Sequence, residues 1–138
     1  MGFELNTLKT DKEKEVNGVW RDYFDGSRLL VARLGNENYR AFIAREYKAN
    51  RIAIERGGEK ADKLALRIQT EALARHVLLD WDGIVIGGSD TKYTPEIGIE
   101  VFNKMPDFKA DVENIAGEMS LYSEIVDESE IEDVTKSA

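Results

Sequence analysis

The sequence predicts a mainly α-helical domain with a small N-terminal β-hairpin, an α+β fold in which three to four helices pack around a central helix at about residues 60–80. Apolar residues recur at helical spacing over most of the chain, which predicts the helices. The dipeptide Asp25-Gly26 lies between two stretches rich in β-branched and aromatic residues, which predicts the hairpin. A length of 138 residues is typical of one domain.

The expected order of elements follows from these patterns. Residues 1–15 are polar and charged, so we expect a flexible lead-in, and residues 127–138 are expected to form an acidic disordered tail. A single domain then spans residues 16–126, with a hairpin at 16–34 and helices at about 37–56, 60–80, 95–104 and 107–126.

The hairpin is expected to turn at Asp25-Gly26 with a two-residue loop. This register places Trp20 opposite Val31 and predicts a core-facing side made of Trp20, Phe24, Leu29 and Val31. A lone hairpin is marginally stable in water, so we expect a further strand, from residues 84–86, residues 92–94 or a neighbouring chain.

The first long helix is expected to begin at Asn36 or Asn38, both good N-caps, and to end at Gly57-Gly58. Its apolar side includes Phe42, while its outer side carries the basic residues Arg45, Lys48, Arg51 and Arg56. Two interpretations stay open. The basic side is either a solvated helix face or a binding site for an acidic partner.

The central helix is expected to run from about residue 60 to Leu79, because its apolar residues cover an arc of about 220°. An arc this wide requires covering elements on two sides. The turn formers Asp80, Asp82 and Gly83 end the helix, and Trp81 lies at the junction. We expect the core to be anchored by Trp20, Trp81, Phe42, Ile68 and Leu79.

The last two helices are expected to begin at Thr94-Pro95 and Pro106-Asp107. Apolar residues from Phe108 to Val126 alternate at spacings of four and three, which favours one helix through Gly117. This stripe either packs within the monomer or forms a short coiled coil.

Charge is divided between the two parts of the chain. Residues 1–79 hold 15 Lys and Arg against 12 Asp and Glu, whereas residues 80–138 hold 4 against 15. The two parts can attract each other, within one chain or between copies. The net charge of −8 argues against general binding of nucleic acid, and no apolar run approaches the length of a membrane span.

Residues for catalysis or metal binding are scarce. The chain has no cysteine and a single histidine, His76, which is expected to be a core or helix contact. Asp80-Trp81-Asp82-Gly83 does not fit a calcium loop, because the glycine falls at the fourth position instead of the sixth. The sequence therefore predicts no catalytic residue, metal site or cofactor, and a domain that acts through contacts.

Several short motifs occur in an order that resembles the tail assembly chaperones of long-tailed bacteriophages. They are the strand at residues 18–23 with its Asp25-Gly26 turn, residues 28–33, Asn38-Tyr39-Arg40, residues 79–84 and Tyr93-Thr94-Pro95-Glu96. The resemblance runs from about Val16 to Val126 and is most specific at residues 79–83 and 93–96.

The resemblance implies a non-enzymatic protein of the infected bacterium's cytoplasm, absent from the mature virion. Such proteins bind the tape-measure protein, keep it soluble and help recruit tail-tube subunits around it. They also self-associate, so we expect a head-to-tail homo-oligomer in which the basic side of residues 40–56 meets the acidic part of a neighbour, including Asp127, Glu128 and Glu130. Two alternatives are a structural virion component, such as a head-tail joining or tail protein, and a small hydrolase built on Asp80 and Asp82.

Overall fold

The computed structural model describes residues 1–123 and places an antiparallel sheet against a layer of helices. The strands are β1 (Val19–Asp22), β2 (Arg28–Val31), β3 (Leu78–Asp82), β4 (Val85–Ile86) and β5 (Ser89–Asp90). The helices are α1 (Lys12–Asn17), α2 (Glu37–Ala49), α3 (Arg51–Glu55), α4 (Gly58–His76), α5 (Pro95–Lys104) and α6 (Pro106–Ala116). Short 3-10 turns lie at Leu5–Leu8, Phe24–Gly26 and Met119–Tyr122. This arrangement confirms the predicted α+β class.

The hairpin lies where the sequence predicts it, but its register is shifted by one residue. Val19 pairs with Val31 and Trp20 with Leu30, because the loop contains Phe24, Asp25 and Gly26 instead of two residues. Asp25 adopts the left-handed conformation, with φ of 56°. A shift of one residue moves every side chain of a strand to the opposite face. The predicted face of Trp20, Phe24, Leu29 and Val31 is therefore wrong.

The third strand of the main sheet comes from the segment where the sequence predicts the end of the central helix and the turn that follows it. The sheet has the order β1-β2-β3, and Leu29 of β2 pairs with Trp81 of β3. Leu79 thus lies in a strand rather than at the end of the central helix, and its side chain is half-buried. None of the candidates for a third strand occupies that place. Residues 85–86 instead pair with residues 89–90 in a separate two-stranded hairpin.

Three of the predicted helices end earlier than expected. The first breaks at Asn50, which separates α2 from α3, and the central helix α4 ends at His76. The last helix, α6, ends at Ala116, where the Gly117 N–H bonds to carbonyls of the last turn. A 3-10 turn follows at Met119–Tyr122, so the helix predicted at 107–126 is interrupted after Ala116, and the end of that prediction lies outside the described residues.

The N-terminal residues contact the end of the described chain. Thr10 forms an antiparallel bridge with Ser123, and the Asp11 N–H donates to the Tyr122 carbonyl at 2.7 Å. Residues 1–15, predicted as a lead-in, thus contain a 3-10 turn and the start of α1. The acidic tail predicted at residues 127–138 lies outside the described residues.

The core consists of two clusters on opposite sides of α4. The larger lies between the sheet, the end of α4, and helices α5 and α6, and includes Leu29, Leu73, Leu78, Trp81, Phe102 and Val112. The smaller lies between α2 and α4 and contains Phe42, Ile68 and Ala72. Helix α4 is therefore covered from two sides, as its wide apolar arc predicts.

Candidate functional site

An apolar groove runs along α5 and α6 beside the β4–β5 hairpin. Its central part has a volume of about 220 Å³ and is lined mainly by aromatic and aliphatic side chains, among them Tyr23, Trp81, Val85, Val101, Met105 and Phe108. A neighbouring depression of about 200 Å³ shares Val101 and Met105, and another of about 370 Å³ shares Tyr23. The shared side chains place the other two depressions next to the central one, and we refer to the three together as the groove.

Helix α5 forms one wall of the groove. The Thr94 hydroxyl accepts a hydrogen bond from the Ile97 N–H at 3.2 Å and so caps the helix at Pro95. Ile97, Val101 and Met105 follow at intervals of four residues and share one side of α5. Met105 alone connects α5 to α6, so its side chain lies at the corner between the two helices.

The back of α5 packs closely on Tyr93. The Tyr93 hydroxyl donates to the Ala74 carbonyl of α4 at 2.5 Å, and Gly98 leaves the space that this ring occupies. A Cβ at Gly98 would lie 2.4 Å from the Tyr93 hydroxyl oxygen. Burial raises the pKa of Tyr93, so its phenol stays neutral. These contacts hold α5 against α4 and define the position of the groove wall.

Aromatic rings from distant parts of the chain form the floor. The Trp81 ring lies 4.8 Å from Tyr93 and 6.3 Å from Phe108, and Phe108 lies 5.7 Å from Tyr23, measured between ring centroids. The Trp81 Nε1–H donates to the Thr91 carbonyl at 2.7 Å, which ties the segment after β5 to the main sheet. The floor is therefore rigid on its buried side.

Tyr23 connects this floor to α6. Its hydroxyl donates to the Asp111 carboxylate at 2.5 Å. Burial and then this hydrogen bond to Asp111 raise the pKa of Tyr23, so the phenol keeps its proton and acts as the donor. This hydrogen bond positions the Tyr23 ring, which lines both the central depression and the depression of about 370 Å³.

The edges of the groove carry exposed apolar side chains. Phe24 is 70% exposed, Val85 61% and Met105 48%. A single exposed apolar residue is ordinary, but several around one apolar depression are typical of a protein-binding surface.

The charges beside the groove are mostly acidic. The two cations that line it already have partners, because Arg21 pairs with Glu118 and Lys104 with Glu100, each at 2.7 Å. Asp22 is exposed and lies 3.6 Å from Arg28. Asp111 accepts a hydrogen bond from a neutral phenol. Asp107 lies two residues after Met105, in the first turn of α6, and is exposed without an ion pair among the described residues.

A second surface lies at the junction of α2 and α3. A depression of about 570 Å³ is lined by Lys48, Arg51, Ile52 and Arg56. Ile52 is 65% exposed, and Arg51 lies 3.8 Å from Glu55. This surface is basic and more polar than the groove.

Comparison with known proteins gives one match. The model of the family described as YdaY prophage protein matches residues 34–133. The chain belongs to this family. It is therefore a member of a phage-derived protein family. Searches of curated proteins and of solved structures return no match.

The YdaY match includes most of the groove but not all of it. Trp81, Val101, Met105 and Phe108 lie within the matched residues. Tyr23, on the hairpin, precedes them. The groove wall and most of its floor thus lie in the part of the chain that matches the YdaY family, while the hairpin adds the rings of Tyr23 and Phe24.

The structure brings together three of the basic residues predicted as an interaction site. Lys48, Arg51 and Arg56 surround the depression at the α2–α3 junction. Arg45 lies one turn earlier, with its guanidinium 5.4 Å from the centre of the Phe42 ring. Asp127, Glu128 and Glu130, predicted as their acidic counterparts, lie outside the described residues. An interaction role for this set stays a prediction.

The predicted anchors have different outcomes. Trp81, Phe42 and Ile68 are buried, and Leu79 is half-buried. Trp20 is 37% exposed and lies on the outer face of the hairpin, 5.2 Å from the Arg28 guanidinium. Its prediction as a core anchor is wrong, because the three-residue loop places it on the other face.

The sequence did not identify the groove as a site. Tyr23 and Phe108 lie more than eighty residues apart, and no local pattern brings them together. The available signal was the stripe of Ile97, Val101 and Met105, which reads equally well as a helix packed in the core.

The other residues considered for catalysis or metal binding make contacts within the fold. His76 is half-buried with its ring 5.4 Å from Phe42, and burial, followed by Arg45 and Arg75, lowers its pKa. Asp80 accepts a hydrogen bond from the Trp81 N–H. Among residues 1–123, no group of three His, Cys, Asp or Glu side chains is arranged to hold a metal ion. No helix in the same range has the length and apolar character needed to cross a membrane.

Proposed function

We propose that the protein is a phage tail assembly chaperone, which binds the tape-measure protein, keeps it soluble and assists assembly of the tail tube in the cytoplasm of the infected bacterium. Membership of a prophage protein family supports a role in phage biology. The resemblance of residues 79–83 and 93–96 to tail assembly chaperones supports this particular role.

The observation that carries the proposal is the apolar groove along α5 and α6. Apolar grooves lined by aromatic, aliphatic and methionine side chains commonly bind amphipathic helices. The resemblance to tail assembly chaperones implies a client that is long, helical and prone to aggregate, so we propose that its helices present apolar stripes. A groove that covers such a stripe keeps the client from aggregating.

The polar groups near the groove support binding rather than bond-breaking chemistry. The Trp81 indole and the Tyr23 and Tyr93 hydroxyls each donate a hydrogen bond within the fold. They hold the floor in place, and the surface presented to a partner is mainly apolar. We therefore propose that the protein acts without making or breaking a covalent bond.

Co-expression with the tape-measure protein of the same phage tests the proposal. We expect more of the client in the soluble fraction with the wild-type chain than without it. Met105→Glu places a charge at the corner of the groove and is expected to remove most of this gain. Leu66→Glu, at a similarly exposed apolar position on α4, serves as the matched control. No gain in client solubility with the wild-type chain contradicts the proposal.

Mass spectrometry of purified phage particles distinguishes a chaperone from a structural virion component. A chaperone leaves before the tail is complete, so we expect the protein to be scarce in mature particles. A fixed number of copies per particle, comparable to other tail proteins, contradicts the chaperone role and favours a tail or head-tail joining protein.

A further inference from the structure

The groove has the length and shape to receive one helix. Ile97 and Val101 on α5 and Met105, which caps the C-terminal end of α5, extend over about 12 Å along the helix axis. Phe108 and Tyr23 continue the apolar surface beyond the helix corner. A helix placed along this surface would contact it through residues at i, i+4 and i+7, so two to three turns are covered.

The charges around the groove determine which charged residues are favoured beside the apolar stripe of the bound helix. Arg21 and Lys104 already pair with Glu118 and Glu100, so they offer little positive charge to an incoming partner. Asp22 is exposed but lies 3.6 Å from Arg28, which compensates part of its charge. Asp107 is exposed two residues after Met105, and the partner of Asp111 is a neutral phenol, so the uncompensated charge near the groove is negative. An acidic flank on the incoming helix would face these carboxylates and be repelled, whereas a basic flank would be attracted.

A second copy of the chain is a poor occupant of the groove. An occupant must present several apolar residues along one helix. On the described α-helices, the exposed large apolar side chains are Tyr47, Ile52 and Leu66, which lie on α2, α3 and α4. Each helix offers one such residue, so none of them presents a stripe.

We propose that the groove binds an amphipathic helix of another protein, with an apolar stripe at i, i+4 and i+7 flanked by Lys or Arg. This proposal rests on the proposed function, because it specifies which segments of the client are bound. It predicts that the chaperone selects apolar stripes with basic flanks from among the many helical segments of its client. Acidic-flanked segments of equal apolarity would be left unbound.

Two synthetic helical peptides of equal length test this selectivity. Both carry Leu at i, i+4, i+7 and i+11, one with Lys and one with Glu at the flanking positions. Fluorescence anisotropy with the full-length chain at low salt is expected to show about tenfold tighter binding of the Lys peptide, because two or three surface charge contacts differ between them. The difference should shrink as salt rises from about 0.05 to 0.5 M. Equal affinities for the two peptides, or no binding of either, would overturn the proposal.

Three variants localise the binding. Met105→Glu should abolish binding of the Lys peptide, whereas the control Leu66→Glu, at an exposed apolar position on α4 outside both candidate surfaces, should leave it unchanged. The double variant Asp22→Asn and Asp107→Asn changes two exposed carboxylates that hold little of the fold, and it should reduce the preference for the Lys peptide severalfold. Circular dichroism of each variant checks that it is folded. A loss of peptide binding in Leu66→Glu equal to that in Met105→Glu would overturn the assignment of binding to the groove.

Light scattering distinguishes the occupants. If the groove holds a second copy instead, the wild-type chain will form an oligomer that Met105→Glu dissociates and that the Lys peptide disrupts by competition, and this result would overturn the proposal. The co-expression experiment separates this inference from the function itself. Client solubilisation with equal peptide affinities rejects only the charge selectivity, while selective peptide binding without client solubilisation rejects only the chaperone role.

Discussion

The two ends of α4 have similar apolar patterns in the sequence but lie in different surroundings. Near its C-terminal end, Ala72, Leu73 and Ala74 are buried, as are Val77 and Leu78 that follow it. Within residues 58–67, at its start, Ala61 is the one buried side chain, and Leu66 is exposed.

The difference arises from what covers each end. The sheet and α5 cover one side of the C-terminal end, and α2 covers the other. The start of α4 packs mainly on the five-residue helix α3, which is too short to cover a wide apolar arc. Helical periodicity therefore predicts which faces are apolar, while the neighbouring elements determine which faces are covered.

The largest expected loss of stability is in the core cluster beside the buried C-terminal end of α4. Trp81→Ala removes a buried ring, the Nε1 hydrogen bond to Thr91 and the ring contacts to Tyr93 and Phe108. We expect the free energy of unfolding to fall by about 3–5 kcal/mol, and Phe42→Ala in the smaller cluster to cost less. Urea unfolding measures both. If Phe42→Ala lowered the free energy of unfolding as much as Trp81→Ala or more, the larger cluster would not be the more stabilising of the two.

A smaller effect is expected where α5 packs on the buried end of α4. Gly98→Ala places a methyl group against the Tyr93 ring, which cannot move away without losing its hydrogen bond to Ala74. We expect a loss of about 1–3 kcal/mol in the free energy of unfolding. Gly117→Ala is the control, because its Cβ would make an ordinary contact of 3.4 Å and its φ of −88° suits alanine. Equal unfolding midpoints for the two variants would show that α5 is held less tightly than the contacts imply.

The smaller cluster should give the chain a modest pH dependence. Burial lowers the pKa of His76, followed by the charges of Arg45 and Arg75, so the unfolded chain binds the proton more readily than the folded one. Stability should fall as pH drops below the ordinary value of 6.5 and stop falling below the folded pKa. Urea unfolding at pH 7.5 and pH 5.5 should show a greater loss for the wild type than for His76→Gln. Identical losses would show that His76 titrates alike in both states.

The smallest effects concern the exposed basic surface. If Lys48, Arg51 and Arg56 contact the acidic part of a neighbouring copy, self-association should weaken as salt rises through about 0.15–0.5 M, because each surface pair contributes only about 0–1 kcal/mol. Light scattering follows the change. Met105→Glu should leave this association intact, because the groove is not part of it. A monomer at every salt concentration would contradict the predicted head-to-tail oligomer.

The elements could largely be predicted from local patterns, whereas their boundaries depended on tertiary pairing. The hairpin was located by Asp25-Gly26, yet its register was missed because Phe24 joins the loop and Asp25 adopts a left-handed conformation. Leu78 and Leu79 continue the apolar pattern of α4 and predict helix, and Asp80 and Asp82 predict a turn, whereas Leu78–Asp82 is a strand. It forms a strand because β2 offers an unpaired edge, which periodicity does not reveal.

The candidate site was harder to predict than the fold. The basic surface was visible because its residues are close in sequence on α2 and α3. The groove requires Tyr23, Trp81 and Phe108 to converge from the hairpin, β3 and α6. Each residue alone reads as core, and only the packing of the β4–β5 hairpin beside α5 leaves their shared surface open.

The bridge between Thr10 and Ser123 has a topological consequence. It places the beginning and the end of the described chain side by side, supported by the Asp11 contact to Tyr122. A circular permutant that links residue 123 to residue 10 through a short loop, and begins at the exposed Gly57-Gly58 turn, should therefore fold to the same arrangement of residues 10–123. In such a molecule α4 becomes the first helix to leave the ribosome.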